Sequence, residues 1–171
     1  MIYTVTLNPA VDKTVYVDDF TLDAVNRAHE VRVDAGGKGI NVSKTVKASF
    51  GGESRAVAIL GGAAGTGIQN ALDAAGIATL PFLNTGETRT NTKIVDLVNK
   101  TYTDVNEPGA PVSDGLLSTV LTKTALELVP GDIVVLSGSL PKGAPTDTYA
   151  TWIHACRGAG ALTVLDADGD V

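Results

Sequence analysis

The chain has 171 residues, the length of one domain, and 44% of them are hydrophobic, which is enough for a packed core and too much for a disordered chain. A formal net charge of −6 argues against nonspecific binding to nucleic acid, so an anionic ligand would need a local cluster of cations. The single cysteine, Cys156, excludes an internal disulfide; a reducing cytoplasmic setting fits, as does a cysteine-poor secreted protein.

Residues 2–7 form a short β-branched run closed by Asn8-Pro9, a strand followed by a turn. The start, Met1-Ile2-Tyr3-Thr4-Val5, lacks the basic segment of a signal peptide, and no apolar run approaches the roughly 20 residues that span a bilayer. Residues 13–34 alternate polar and apolar, with Val15, Val17, Val31 and Val33 at period two, as in strands with one wet face. A helix is expected over 39–50, stopped by Gly51-Gly52, then a buried strand over 55–60. Residues 68–75 read as a helix ended by Gly76, and 78–83 as a strand. A second alternating block covers 88–97 and 101–105 and closes at Pro108-Gly109. A helix over 116–129 carries Leu117, Leu121, Ala125 and Leu128, with Asp114 near its start and Pro130-Gly131 beyond its end. A strand over 133–136 runs into Ser137-Gly138-Ser139, followed by a helix over 149–157 and a strand over 162–165.

Alternating strands and helices imply an α/β fold with a mostly parallel sheet and helices on its faces. The two period-two blocks, approximately 13–34 and 88–107, break that rhythm and are expected to form a small antiparallel sheet inserted as a lid. A doubly wound sheet usually covers its last strand with a helix, because a bare edge invites aggregation. The 171 residues are therefore expected to be an incomplete domain of a longer protein.

Asp34-Ala35-Gly36-Gly37-Lys38-Gly39-Ile40-Asn41-Val42 marks the passage from an extended segment to a helix. Glycines there allow close approach to the backbone, and the first free N–H groups of the helix favour an anionic or polar ligand. Lys38 adds a positive charge. The string is neither a P-loop, because Ile40 follows Gly39, nor a dinucleotide fingerprint, because the third glycine is missing. Its plain alternative is a tight turn that caps a helix. Ser137-Gly138-Ser139-Leu140-Pro141 follows a parallel strand, where ligands of open α/β sheets bind, although an ordinary strand-to-helix loop has the same appearance. Asp166-x-Asp168-Gly169 resembles a phosphatase nucleophile motif and the start of a calcium loop, but lacks the further residues of both. His29 and His154 have no metal-type spacing, and Cys156 reads as a core residue.

Four motifs occur in order at fitting spacing. They are Thr6-Leu7-Asn8-Pro9-Ala10-Val11-Asp12, Gly36-Gly37-Lys38-Gly39-Ile40-Asn41-Val42 with Gly51-Gly52 after its helix, Thr88-Arg89-Thr90-Asn91 with Lys93, and Ser137-Gly138-Ser139-Leu140-Pro141. Together they resemble the ribokinase-like (PfkB-type) carbohydrate kinase family. Thr103-Asp104-Val105-Asn106 with Pro108-Gly109 is most similar to its 1-phosphofructokinase branch.

The resemblance covers the whole chain. It implies a Rossmann-like α/β core with a β-sheet lid, often shared across a homodimer. It also implies ATP and Mg2+, and phosphoryl transfer to fructose 1-phosphate to give fructose 1,6-bisphosphate. Other 6-phosphorylated ketohexoses, such as tagatose 6-phosphate or fructose 6-phosphate, are the alternative within the family. A noncatalytic sugar-phosphate-binding module is the alternative outside it.

By motif position the resemblance assigns Asp12 to sugar hydroxyls and places Gly37 and Asn41 along the sugar site. Lys38, Arg89, Ser137 and Ser139 become candidates for the substrate phosphate, and Lys93 a lid candidate. Arg27 would reach a neighbouring subunit's site. A carboxylate accepts hydrogen bonds from hydroxyls and an arginine clamps phosphate with two, so the residue types suit these roles. The family's catalytic base, an aspartate in a Gly-Ala-Gly-Asp-type motif, matches nothing in this sequence, nor does most of its nucleotide site. Asp166 does not take that role merely by lying late in the chain.

Overall fold

The computed structural model describes residues 1–167. Its central sheet is parallel throughout, in the order β5-β4-β1-β8-β9. The strands are β1 (Ile2–Thr6), β4 (Ser54–Leu60), β5 (Ala78–Leu83), β8 (Ile133–Ser137) and β9 (Leu162–Asp166). β4 explains why helices lie on both faces. Val57 and Ile59 join a core with Val5, Leu136, Leu117, Val120 and Trp152, whereas Ala56, Ala58 and Leu60 join Ile40, Ile68 and Leu72. Successive side chains of a strand point to opposite faces, so one continuous apolar run feeds two cores. The first core packs helices α3 (Asp114–Glu127) and α4 (Thr148–Gly158), and the second packs α1 (Lys38–Phe50) and α2 (Gly62–Ala74). Cys156 is buried in the first, as its apolar reading requires.

A separate four-stranded sheet has the order β3-β2-β6-β7, built from β2 (Ala10–Val17), β3 (Glu30–Gly36), β6 (Arg89–Asp96) and β7 (Thr101–Asn106). It is not antiparallel as expected but mixed, because the two central strands, β2 and β6, run parallel. β2 follows β1 and β6 follows β5, two parallel strands of the main sheet, so both leave from the carboxyl ends of that sheet and enter the lid in one direction.

α2 begins at Gly62, six residues before its expected start. Gly62, Gly65 and Gly67 lower helix propensity, but packing overrides it: a Cβ on Gly65 would lie 3.1 Å from the Leu60 carbonyl carbon. β9 lies at the sheet edge among the described residues, with Leu162, Val164 and Leu165 exposed. The Asp168-Gly169 part of the phosphatase-like and calcium-like strings lies outside the described residues.

Candidate functional site

The lid presents one face of paired polar residues. Backbone register aligns Asp34, Asp12, Asn91 and Asn106 across the four strands, then Arg32, Thr14, Lys93 and Asp104 in the next row. These eight residues, with Asn41 and Lys44 from α1, line an open cleft of about 460 Å³. Asp12, Asn41 and Lys93 are thus brought together as expected. Asn91, Asp34 and Asn106 fall within sequence motifs that assign them no site role, and Arg32 and Lys44 fall within none. Asn91 lies 79 residues from Asp12, yet its Nδ2 donates to Asp12 Oδ1 at 3.1 Å, while its own Oδ1 is buried without a hydrogen-bond partner. Only the β2–β6 pairing reveals that relation.

The glycine-rich turn sets the cleft floor. A Cβ on Gly36 would come within 2.1 Å of Asp12 Oδ2, so the missing side chain makes room for the carboxylate. Gly37 caps α1 at φ 117°, a conformation that favours glycine, and a Cβ on Gly39 would lie 2.7 Å from the Val5 carbonyl oxygen. The Ile40 N–H donates to Thr6 Oγ1 at 3.0 Å, which docks the start of α1 on the end of β1.

Lys44 Nζ donates to the Ala35 carbonyl at 2.9 Å. Arg32 pairs with Asp34, and Lys93 with Asp104 at 3.4 Å while lying over the Tyr102 ring. The hydrogen bond to Asp34 raises the Arg32 guanidinium above its ordinary pKa.

Arg89 and Ser139 form a second group linked through Asn8, with Ser137 two residues before Ser139 in the same loop. Arg89 donates to the carbonyls of Glu107 at 2.9 Å and Asn8 at 3.2 Å, and Asn8 Nδ2 donates to Ser139 Oγ at 3.2 Å. Burial pushes the Arg89 guanidinium below its ordinary value, opposed by Asp12 and Glu107, and its Nε lacks a hydrogen-bond partner. Ser137 Oγ is buried and also without a partner. Lys38 closes this side: its Cβ stands 3.7 Å from the place a Cβ on Gly138 would take, and its Nζ is 3.5 Å from Asp166 Oδ1. Arg27 is exposed in the β2–β3 connection and does not line the cleft. Among the described residues, no group of three or more His, Cys, Asp or Glu side chains is placed to hold a metal ion.

The chain thus joins a parallel α/β core to a polar-faced lid sheet through a glycine-rich turn. The sequence matches the pfkB family carbohydrate kinase description over residues 5–171, and the chain belongs to that family. It is 44% identical over 167 residues to a 1-phosphofructokinase of Xanthomonas campestris, covering 97% of this chain and 52% of that protein. To a tagatose-6-phosphate kinase of Staphylococcus epidermidis it is 39% identical, covering 99% of this chain and 54% of the relative.

Phosphofructokinase-2 from Escherichia coli, solved in complex with substrates and products, superposes with a TM-score of 0.93 at 27% identity, over 99% of this chain and 54% of that one. The same enzyme is known in a tetrameric inhibited form, at a TM-score of 0.91. The chain spans about half the length of the curated relatives it matches, 52% and 54% of the two above.

Proposed function

We propose that this chain is the sugar-phosphate-binding portion of an ATP-dependent kinase that converts fructose 1-phosphate to fructose 1,6-bisphosphate. The observation that carries the reading is the cleft itself. Asp12, held by Asn91 and given room by Gly36, stands opposite Asn41 at the start of α1. Sugar hydroxyls would donate to the Asp12 carboxylate, and the Asn41 amide supplies both a donor and an acceptor. Arg89, joined to Ser139 through Asn8, and Lys38, which stands against Gly138, would take the substrate phosphate with Ser137 and Ser139, and the orphaned Arg89 Nε and Ser137 Oγ suit its oxygens. Gly37 lies in the turn between the two groups, Lys93 adds a cation in the lid, and Arg27, away from this cleft, would reach the site of a neighbouring subunit.

Bound ATP would supply the phosphoryl group: the sugar hydroxyl oxygen would bond to the γ-phosphorus and lose its proton to a base, while the bond from the γ-phosphorus to the β-phosphate oxygen breaks and ADP leaves. Positioning and electrostatic stabilisation carry such a step. The described residues contain no acidic cluster fitted to magnesium and no motif for a nucleotide. We therefore derive no step through either; this chain binds and orients the acceptor sugar. A second reading, tagatose-6-phosphate kinase, is favoured by the staphylococcal relative at 39% identity.

The exposed lid surface opposite the cleft carries Val31, Val33 and Val105, an apolar face suited to a second copy of the chain, and the tetrameric form of phosphofructokinase-2 supports self-association of such chains. The deciding experiment is steady-state turnover of the full-length protein with Mg-ATP on fructose 1-phosphate, fructose 6-phosphate and tagatose 6-phosphate. The highest kcat/KM is expected with fructose 1-phosphate. A preference for another ketohexose phosphate replaces the substrate, and binding without turnover of any of them replaces the enzyme with a binding module.

A further inference from the structure

The geometry points to Tyr149 as a positioning residue that holds the Ser137-Gly138-Ser139 loop in its phosphate-receiving form; this inference rests on the proposed function. Gly138 has a φ of 95°, which side-chain-bearing residues rarely adopt, so the loop's shape depends on how the two peptide units that meet at this glycine are restrained, the Ser137–Gly138 unit through its N–H and the Gly138–Ser139 unit through its carbonyl. Both are clamped. The Gly138 N–H donates to the Asp166 carbonyl on β9 at 2.9 Å, and its carbonyl accepts from the Tyr149 hydroxyl at 2.9 Å.

Tyr149 sits in the first turn of α4 with none of its surface exposed, so the hydroxyl is carried by a side chain fixed in the core beside Trp152. Burial, with Asp166 adding, pushes the phenol upward, so it stays protonated and donating across the physiological range. On either side of the clamped glycine lie the two hydroxyls at issue: Ser137 Oγ, buried without a partner, and Ser139 Oγ, which accepts from Asn8. Lys38 stands against the same glycine. Rotation of these peptide units would move all three groups relative to one another. Tyr149 touches no ligand-facing surface itself, so its effect passes through the loop.

Tyr149→Phe in the full-length protein tests this, because it removes the hydroxyl and leaves the ring. Loss of one buried neutral hydrogen bond corresponds to a rise of about twofold to tenfold in the KM for the sugar phosphate. The KM for ATP should stay within about twofold. Trp152→Phe, a change in the same core with no bond to the loop, should lower the melting temperature without moving the sugar-phosphate KM.

Equal rises in both KM values, or a lower Tm with an unchanged sugar-phosphate KM, would overturn the inference. If Tyr149→Phe does not fold, Gly138→Ala strains the same backbone from the loop side and should raise the same KM; an unchanged value there overturns the inference equally. Titration with inorganic phosphate, followed at the Ser139 amide by NMR, needs no turnover. Weaker binding in Tyr149→Phe supports the clamp and equal binding removes it. Failure of the wild-type protein to turn over any ketohexose phosphate bears on the proposed function alone.

Discussion

At the scale of single residues, a glycine shapes the cleft and an arginine the second polar group beside it. Gly36 lies in a strand, and alanine there meets only the Asp12 carboxylate, the movable end of a side chain. Gly36→Ala should therefore act on Asp12 rather than on the fold. Turnover of the sugar phosphate should fall strongly, while the melting temperature moves by no more than about 2–4 °C, equivalent to roughly 1 kcal/mol for a chain of this size. A large loss of Tm with proportionate loss of activity would show that the glycine serves packing instead.

Arg89 combines two duties, since it ties Asn8 to Glu107 and keeps a buried Nε without a partner. Arg89→Ala should raise the KM for the sugar phosphate roughly tenfold to hundredfold, as expected for about 1.5–3 kcal/mol from a charge-assisted contact. The KM for ATP should change far less; equal rises would mean that Arg89 is not a dedicated phosphate ligand.

At the scale of elements, the lid is held at its far end by one carboxylate. Asp96, at the end of β6 and 3% exposed, accepts from the backbone N–H groups of Asp19, Phe20, Val98 and Asn99 and from the Asn99 amide. It joins the β2–β3 connection to the β6–β7 turn. These hydrogen bonds, those from Asn99 foremost, lower its pKa to about 2 from an ordinary 3.8. A group depressed on folding contributes stability that is complete above the unfolded value and is lost as the pH falls through the folded one. The window for Asp96 therefore runs from about pH 4 to about pH 2. Asp96→Asn should lower the melting temperature at pH 7 and flatten its fall between pH 4 and pH 2. The readout is thermal unfolding of both proteins across that range, and parallel curves would mean that Asp96 does not govern the acid limb.

At the scale of the whole molecule, the two faces of the lid differ in chemistry. One face carries the polar rows of the cleft; the other exposes Val31, which is 50% exposed, and Val33, which is 62% exposed. If a second copy covers that apolar face, Val33→Asp should shift the full-length protein from dimer to monomer in sedimentation velocity. An unchanged dimer would place the interface elsewhere. Residues 1–171 alone should give no measurable ADP release with fructose 1-phosphate and Mg-ATP, because binding a substrate uniformly does not lower the barrier of the chemical step. Turnover by these residues near the full-length rate would place the phosphoryl-transfer machinery within them.

Periodicity was enough to determine the kind of each element. The apolar run Ala56-Val57-Ala58-Ile59-Leu60, bounded by Gly51-Gly52 and Gly61-Gly62, reads as a strand buried on both faces, and the alternation around Val15 and Val31 as strands with one wet face, although Val31 and Val33 are exposed because nothing covers that face of the lid among the described residues. Local chemistry likewise marked the turn at Gly36-Gly37 and the loop at Ser137-Gly138-Ser139, because glycine's freedom at φ 117° and 95° is a property of the residue itself. What the sequence alone left open was set by pairing between distant segments. The parallel match of β2 with β6 puts Asn91 against Asp12 and aligns Arg32, Thr14, Lys93 and Asp104 in one row. No local pattern encodes that register, since it follows from where β1 and β5 end in the main sheet. The start of α2 at Gly62 and the bond from Tyr149 to Gly138 depend likewise on what packs against them, and packing becomes defined only when the chain is folded.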